Sequence, residues 1–229
     1  MVRAGFFLGV GTGENLNEHI IGHRWPPHSV RLEMLKEAVS IIRKLWKGGY
    51  CTHEGEYFIV ENARLYTLPQ TLPPIYMAAS GMEAARAAGE IADGLISTVA
   101  NKKLVETFED AGGQGKPKYV QIHVCYAPDE KAARETAHRQ WPVAAIPGSL
   151  HSALATPSEF IDAASMVTEE QVAEKVVCGP DPERHKATIR ECIEAGYDHV
   201  YIHQVGPEQE QCIEFYQREI FPYLQKLAA

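Results

Sequence analysis

The stretch Gly9 to Glu18, GVGTGENLNE, places three glycines within five positions and follows them with Glu14 and Asn17. Such a run can cradle a nucleotide phosphate, make a tight turn or form the edge of an active site. A dinucleotide fingerprint needs G-x-G-x-x-G opening directly into a helix. Here the spacing is G-x-G-x-G, and hydrophobic periodicity predicts no helix for more than ten residues. A P-loop needs Gly-Lys-Ser/Thr, and this segment has Gly13-Glu14-Asn15. Neither nucleotide motif is present. What remains is a strand ending in a glycine turn that presents Thr12, Glu14 and Asn17, and a plain β-turn with surface acids stays open as the alternative.

A second stretch, Met77 to Ala85 (MAASGMEAA), reads as a strand that gives way at Ser80-Gly81 to a helix beginning near Glu83. Unpaired backbone N–H groups at such a helix start attract phosphate, whereas an ordinary serine cap is the structural alternative. Ser97-Thr98 ends the next apolar run. His203 lies near the end of the last one, in VYIHQVG, where a lone strand histidine is more often a packed or hydrogen-bonded group than a catalyst.

The elements that must position these residues follow from periodicity. Short apolar runs alternate with amphipathic stretches, the pattern of a parallel sheet built from strand-helix units. Strands are predicted at Phe6–Val10, Ile75–Ala78, Gly94–Ser97, Lys118–Cys125 and His199–Val205. A helix runs behind Pro26-Pro27 to Gly48-Gly49, and a hairpin pairs Tyr50–His53 with Tyr57–Val60. Further helices are predicted at Glu83–Ile91, Lys102–Ala111, Asp129–Trp141, Pro157–Ala164, Glu169–Val176, Pro182–Ala195 and Glu208–Leu227, the last bent or interrupted by Pro222. Pro142 to Pro157 carries little pattern and reads as a long loop. No linker-like tract divides the chain, so one domain over 1–229 is expected, with about 142–180 as a helical and loop insertion over the carboxyl end of the sheet.

Composition narrows the function classes. With 45% apolar and 23% charged residues the chain is an ordinary globular protein, and no run approaches the ~18 apolar residues of a membrane span. A formal charge of -8 without a Lys/Arg cluster argues against nucleic-acid binding. The start of the sequence lacks the pattern of a secretory signal, and the chain reads as cytoplasmic. The five scattered cysteines, Cys51, Cys125, Cys178, Cys192 and Cys212, suggest reduced, packed thiols rather than a disulfide framework or a metal knuckle.

The segments FFLGVGTGENLNEHIIG, RLEMLKEAVSIIRKLWKG, HEGEYFIVENARLY, PPIYMAASGMEAARAAGEIADGLIST and AGYDHVYIHQVG, in this order and spacing, resemble the bacterial-luciferase-like oxidoreductases. Within them the branch that uses the deazaflavin coenzyme F420 is most similar, that of the F420-dependent glucose-6-phosphate dehydrogenases. The resemblance covers essentially the whole chain. It implies an α/β fold of the (β/α)8 TIM-barrel family, here a partial barrel of about strands 4 to 8 with a small β-hairpin insertion. The first predicted strand then matches the fourth of the barrel, so the family's preceding units and their Asp-His segment have no counterpart in this sequence. A truncated record, or a short natural chain completed by a partner, would both account for that.

The resemblance also implies roles. Glu14 matches the family's acid/base residue and Asn17 a cofactor-contacting one. Ser80 and Gly81 match the turn that receives the coenzyme's phosphate-bearing tail, and Thr98 matches a substrate contact. The cations that hold the sugar phosphate are replaced by Asn101, Asp162 and Thr188, with Lys102 beside the first, so glucose 6-phosphate is not the expected substrate. The implied activity is hydride transfer between coenzyme F420 and an alcohol-type or related small organic molecule, in a homodimer without a metal. An FMN-dependent monooxygenase and a non-catalytic barrel fragment are the alternatives.

Overall fold

A computed structural model describes residues 5–227. Residues 1–4, part of the segment read above for a secretory signal, lie outside them. In chain order the elements are β1 (Leu8–Val10), α1 (Asn15–Glu18), α2 (His28–Trp46), β2 (Cys51–Glu54), β3 (Ile59–Ala63), β4 (Ile75–Ala78), α3 (Met82–Ile91), β5 (Gly94–Ser97) and α4 (Lys102–Phe108). Then come β6 (Lys118–Cys125), α5 (Glu130–Gln140), α6 (Gly148–His151), α7 (Pro157–Ser165), α8 (Glu169–Ala173), β7 (Val176–Cys178), α9 (Pro182–Glu194), β8 (His199–Gln204), α10 (Gln209–Phe215) and α11 (Phe221–Leu227). These fall into two compact units. The first comprises the chain up to Gly13 with Pro26–Ser97 and Asn101–Tyr119; the second comprises Glu14–Trp25, Thr98–Ala100 and the chain from Val120 onward.

In the first unit β1, β4 and β5 pair in parallel, with Leu8 opposite Ile75 and Met77 opposite Leu95. Ile75, Met77 and Leu95 are fully buried, each contributing about 2 kcal/mol of apolar burial. Phe7 stacks on Tyr76 at 4.6 Å, and Tyr76 meets Tyr119 at 5.2 Å. The α2 helix buries Leu32 and Val39, seven residues apart on one face, together with Ile41, and stops where Gly48 and Gly49 adopt φ of 79° and 81°. Its Glu37 accepts hydrogen bonds from the Tyr57 and Phe58 amides and faces His53 Nε2 at 3.0 Å, which fixes the β2-β3 hairpin on the helix. The α3 helix packs on α2 and α4 through Ala84, Ala85, Ala87, Ala88 and Gly89. A Cβ on Gly89 would collide with the Phe108 carbonyl and with Ala111.

The second unit pairs β6 with β7 in parallel, Cys125 opposite Cys178, and β8 also pairs with β6. Its core joins Cys125, Ala127, Ala133, Ala137, Val172, Val176 and Cys178, with Trp141 and Val205 packed against them. His185 is fully buried between the Tyr216 hydroxyl at 2.8 Å and the Gly179 carbonyl at 3.0 Å. The carbonyl can only accept, so Nε2 carries the proton and Nδ1 accepts from the hydroxyl.

The five predicted strands are all present, the first shortened to Leu8–Val10. Four local expectations need correction. A short helix, α1, follows the glycines at once instead of after more than ten residues. Val176 begins a strand, not the end of a helix, because Val176 and Cys178 are buried beside β6. The long loop contains a 3-10 turn at Pro142–Ala145 and the α6 turn. The helix predicted for Lys102–Ala111 stops at Phe108 and widens into a π turn over Glu109–Gly113. Pro222 acts as expected: lacking an N–H, it is preceded by a π turn over Tyr216–Ile220 that separates α10 from α11.

Candidate active site

Glu14 stands at the N-cap of α1 with extended backbone (φ -134°, ψ 140°), and its carbonyl accepts from the Asn17 and Glu18 amides at 3.0 and 3.2 Å. Gly13, at φ 77°, makes the reversal that lets a helix begin here. The Glu14 carboxylate does not cap its own helix. Its Oε1 lies 3.6 Å from His151 Nδ1 on α6, both side chains being partly exposed. Asn15 anchors the same neighbourhood, its amide donating to the Ser152 carbonyl at 3.2 Å and its Nδ2 to the Ala153 carbonyl at 2.8 Å. The His151 ring meets Phe160 edge-on at 5.0 Å. Thus Glu14 and His151 come together, the latter from a segment that the sequence could not resolve. Asn17 lies exposed on α1, three residues from Glu14.

Ser80 and Gly81 precede α3 in the first unit, and both are exposed. Gly81 is the N-cap, with no side chain satisfying the amides of the first turn. Ser80 sits one position too early to cap, so the serine-cap alternative fails and the first-turn N–H groups stay open to an anion. Glu83, in that turn, is itself engaged with His28 at 3.6 Å. A phosphate-bearing group fits this open donor set.

Thr98 is exposed just after β5, and the adjacent Val99 carbonyl accepts from the Tyr197 hydroxyl at 3.0 Å. Asn101 caps α4 by accepting from the Leu104 amide at 3.3 Å. Asp162 is exposed on α7, and the Thr188 hydroxyl donates to the Arg184 carbonyl at 3.1 Å. Lys102 faces Glu106 at 4.0 Å. His203 on β8 lies with its Nδ1 2.9 Å from Nδ1 of His123 on β6, a partner that the sequence did not suggest. The Trp141 ring centroid is 5.0 Å from that of His203 and 5.6 Å from that of His123.

Other chemistries find little support. Burial pushes the Cys125 thiol up to about 12 and those of Cys178, Cys192 and Cys212 up to about 11, so these four are packed, un-ionised groups. Among the described residues no group of three or more His, Cys, Asp or Glu could hold a metal ion. No described helix is long and apolar enough to cross a membrane.

The sequence profile of the luciferase-like monooxygenases matches residues 3–199. An F420-dependent glucose-6-phosphate dehydrogenase from Microbacterium testaceum is 35% identical over 231 residues, covering 96% of this chain and 68% of the relative. The solved structure of an F420-dependent secondary alcohol dehydrogenase in complex with an F420-acetone adduct superposes with a TM-score of 0.83 at 26% identity, over 93% of this chain and 68% of that one. A coenzyme F420 dependent tetrahydromethanopterin reductase from Methanopyrus kandleri shares the fold, with a TM-score of 0.69 at 21% identity over 95% and 74%. Both the profile match and the long alignments run through the glycine turn, the strand-helix units and the open start of α3, and the chain belongs to the luciferase-like monooxygenase family of α/β, TIM-barrel-type oxidoreductases.

Proposed function

We propose that this protein is a coenzyme F420-dependent oxidoreductase that transfers a hydride between the deazaflavin and an alcohol-type small organic substrate other than glucose 6-phosphate. The observation that carries the reading is the similarity to F420 enzymes over 96% of the chain; the exclusion of glucose 6-phosphate rests on the resemblance read in the sequence, which matches Asn101, Asp162 and Thr188, none of them cationic, to the sugar-phosphate positions. The secondary alcohol dehydrogenase likeness favours an uncharged alcohol.

Within this reading Ser80, Gly81 and the open amides of α3 hold the phosphate-bearing tail, and Asn17 contacts the coenzyme. The deazaflavin, when bound, supplies two-electron hydride chemistry. Thr98 orients the substrate. Glu14 takes the hydroxyl proton on a carboxylate oxygen as the carbinol carbon gives up its hydride, and His151 Nδ1, 3.6 Å from Oε1, positions that carboxylate. The reading includes a cytoplasmic homodimer, which sedimentation velocity tests.

Titration of the protein with coenzyme F420, followed by its fluorescence, tests the core of the reading, and absence of binding would sink it. The absorbance spectrum of the bound coenzyme separates deazaflavin from FMN. In Glu14→Gln, turnover should fall about 100-fold with coenzyme affinity unchanged. Unaltered turnover removes Glu14 from the proton path.

A further inference from the structure

His123 and His203 form the second histidine cluster of the second unit, and its geometry differs from that of the buried His185. On β6, Val120, Ile122 and Val124 are buried while Gln121 and His123 alternate with them on the other face, only half-buried. On β8, His203 is likewise half-buried. The two Nδ1 atoms are 2.9 Å apart, with the rings inclined at 71°. A hydrogen bond between two imidazole nitrogens needs one donor and one lone pair, so the two rings hold opposite tautomers. The acceptor ring then carries its proton on Nε2, while the donor ring has a bare Nε2. Because the nitrogens of an imidazole point in different directions, facing Nδ1 atoms leave the two Nε2 atoms directed outward at opposite ends of the pair. Among the described residues neither Nε2 has a hydrogen-bond partner, whereas both nitrogens of His185 are engaged. Trp141 borders both rings and holds the pair in place.

We infer that His123 and His203 form a two-imidazole proton relay, an inference that rests on the oxidoreductase reading above. A proton arrives at the bare Nε2 of the donor ring. The proton on its Nδ1 passes to the facing Nδ1, and the acceptor ring releases its own Nε2 proton. One proton enters, one leaves, and the pair ends with its tautomers exchanged, to be reset by exchange of each half-buried ring's protons with solvent or by transfer in reverse. The cargo is the proton that accompanies hydride transfer to or from a hydroxyl-bearing carbon. Burial, and then the charge of His203, hold His123 below the ordinary imidazole value, which keeps the pair from taking two protons near neutrality. No carboxylate or cation contacts either ring among the described residues; the indole of Trp141 is the flanking group.

Two measurements test this. Nitrogen-15 NMR of histidine-labelled protein should show opposite tautomers in the resting chain and a coupled titration, the second proton entering the pair at a distinctly lower pH than the first. Two independent titrations would overturn the relay, and this readout stands whether or not the chain binds deazaflavin. The kinetic test uses His123→Asn and His203→Asn, because an asparagine amide occupies the place of Nδ1, preserves the contact and passes no proton. Each should lower turnover at least tenfold, shift the pH profile, leave coenzyme affinity unchanged and be partly restored by imidazole in the buffer. Wild-type turnover and pH profile in both variants would overturn the proposal, whereas failure to bind the coenzyme at all would count against the oxidoreductase reading and leave the NMR result to decide the relay.

Discussion

The starts of α3 and α8 face the same problem and solve it in opposite ways. Every helix leaves its first amides without internal partners. At α8 the Thr168 hydroxyl accepts from the Gln171 amide at 3.3 Å while the Gln171 side chain accepts from the Thr168 amide at 2.9 Å, a closed capping box. Thr156 and Glu159 do the same for α7. At α3 the capping position is Gly81, which has no side chain to offer, and the donors stay open. The capped starts contribute to stability; the uncapped one leaves its donors open, as the proposed coenzyme site requires.

The largest effect expected from breaking this contrast is in Gly81→Asp. A Cβ on Gly81 meets nothing within 4 Å, and φ of -135° suits any residue, so the aspartate is accommodated and caps α3 itself. Coenzyme F420 affinity should drop about 100-fold, roughly 2.7 kcal/mol, by fluorescence titration, while thermal stability holds or rises. Equal loss of both would mean that the open start is a structural weakness and not a binding site. In the reverse experiment, Thr168→Ala should cost about 1 kcal/mol of unfolding free energy in urea with no change in coenzyme affinity.

The contrast extends to histidines, and the smallest effect lies there. Burial holds His185 below the ordinary imidazole value, so the folded protein keeps it neutral while the unfolded chain binds a proton near pH 6.5. Its contribution is therefore complete above pH 6.5 and lost progressively as pH falls toward the lowered folded value. Urea unfolding across pH 7 to 5 should show that slope, and His185→Gln should flatten it. An unaltered slope would assign the pH dependence to other groups.

The same physics explains what could be read in advance. The α2 helix was legible because Leu32, Leu35, Val39, Ile42 and Trp46 recur at its period between Pro27 and Gly48. The strands that carry Ser80 and Thr98 were legible as apolar runs bounded by turn residues. Glu14 and Ser80-Gly81 stood out as local motifs; the phosphate reading of Ser80-Gly81 followed from the open helix start, whereas the role of Glu14 came from resemblance. His151 did not stand out, because it lies in a stretch whose two short turns are too brief for a periodic signal. His123 and His203 pair across 80 residues of sequence, and no local pattern encodes a contact between two strands that are distant along the chain. The short helix α1 escaped for a related reason: four residues give no period to detect.

One contact in the first unit bears on how a ligand would be received. Gly89 lets α3 lie so close to the end of α4 that no side chain fits between them, and four alanines bury the rest of that face. Such a helix has little freedom to rock or slide. The donors at its first turn are therefore aimed before any ligand arrives, and association pays little ordering entropy at that end of the site. Capture of a flexible phosphate-bearing tail would be limited by the tail's own loss of motion, so that lengthening or stiffening the tail, and not remodelling the helix, would be the effective way to tune affinity.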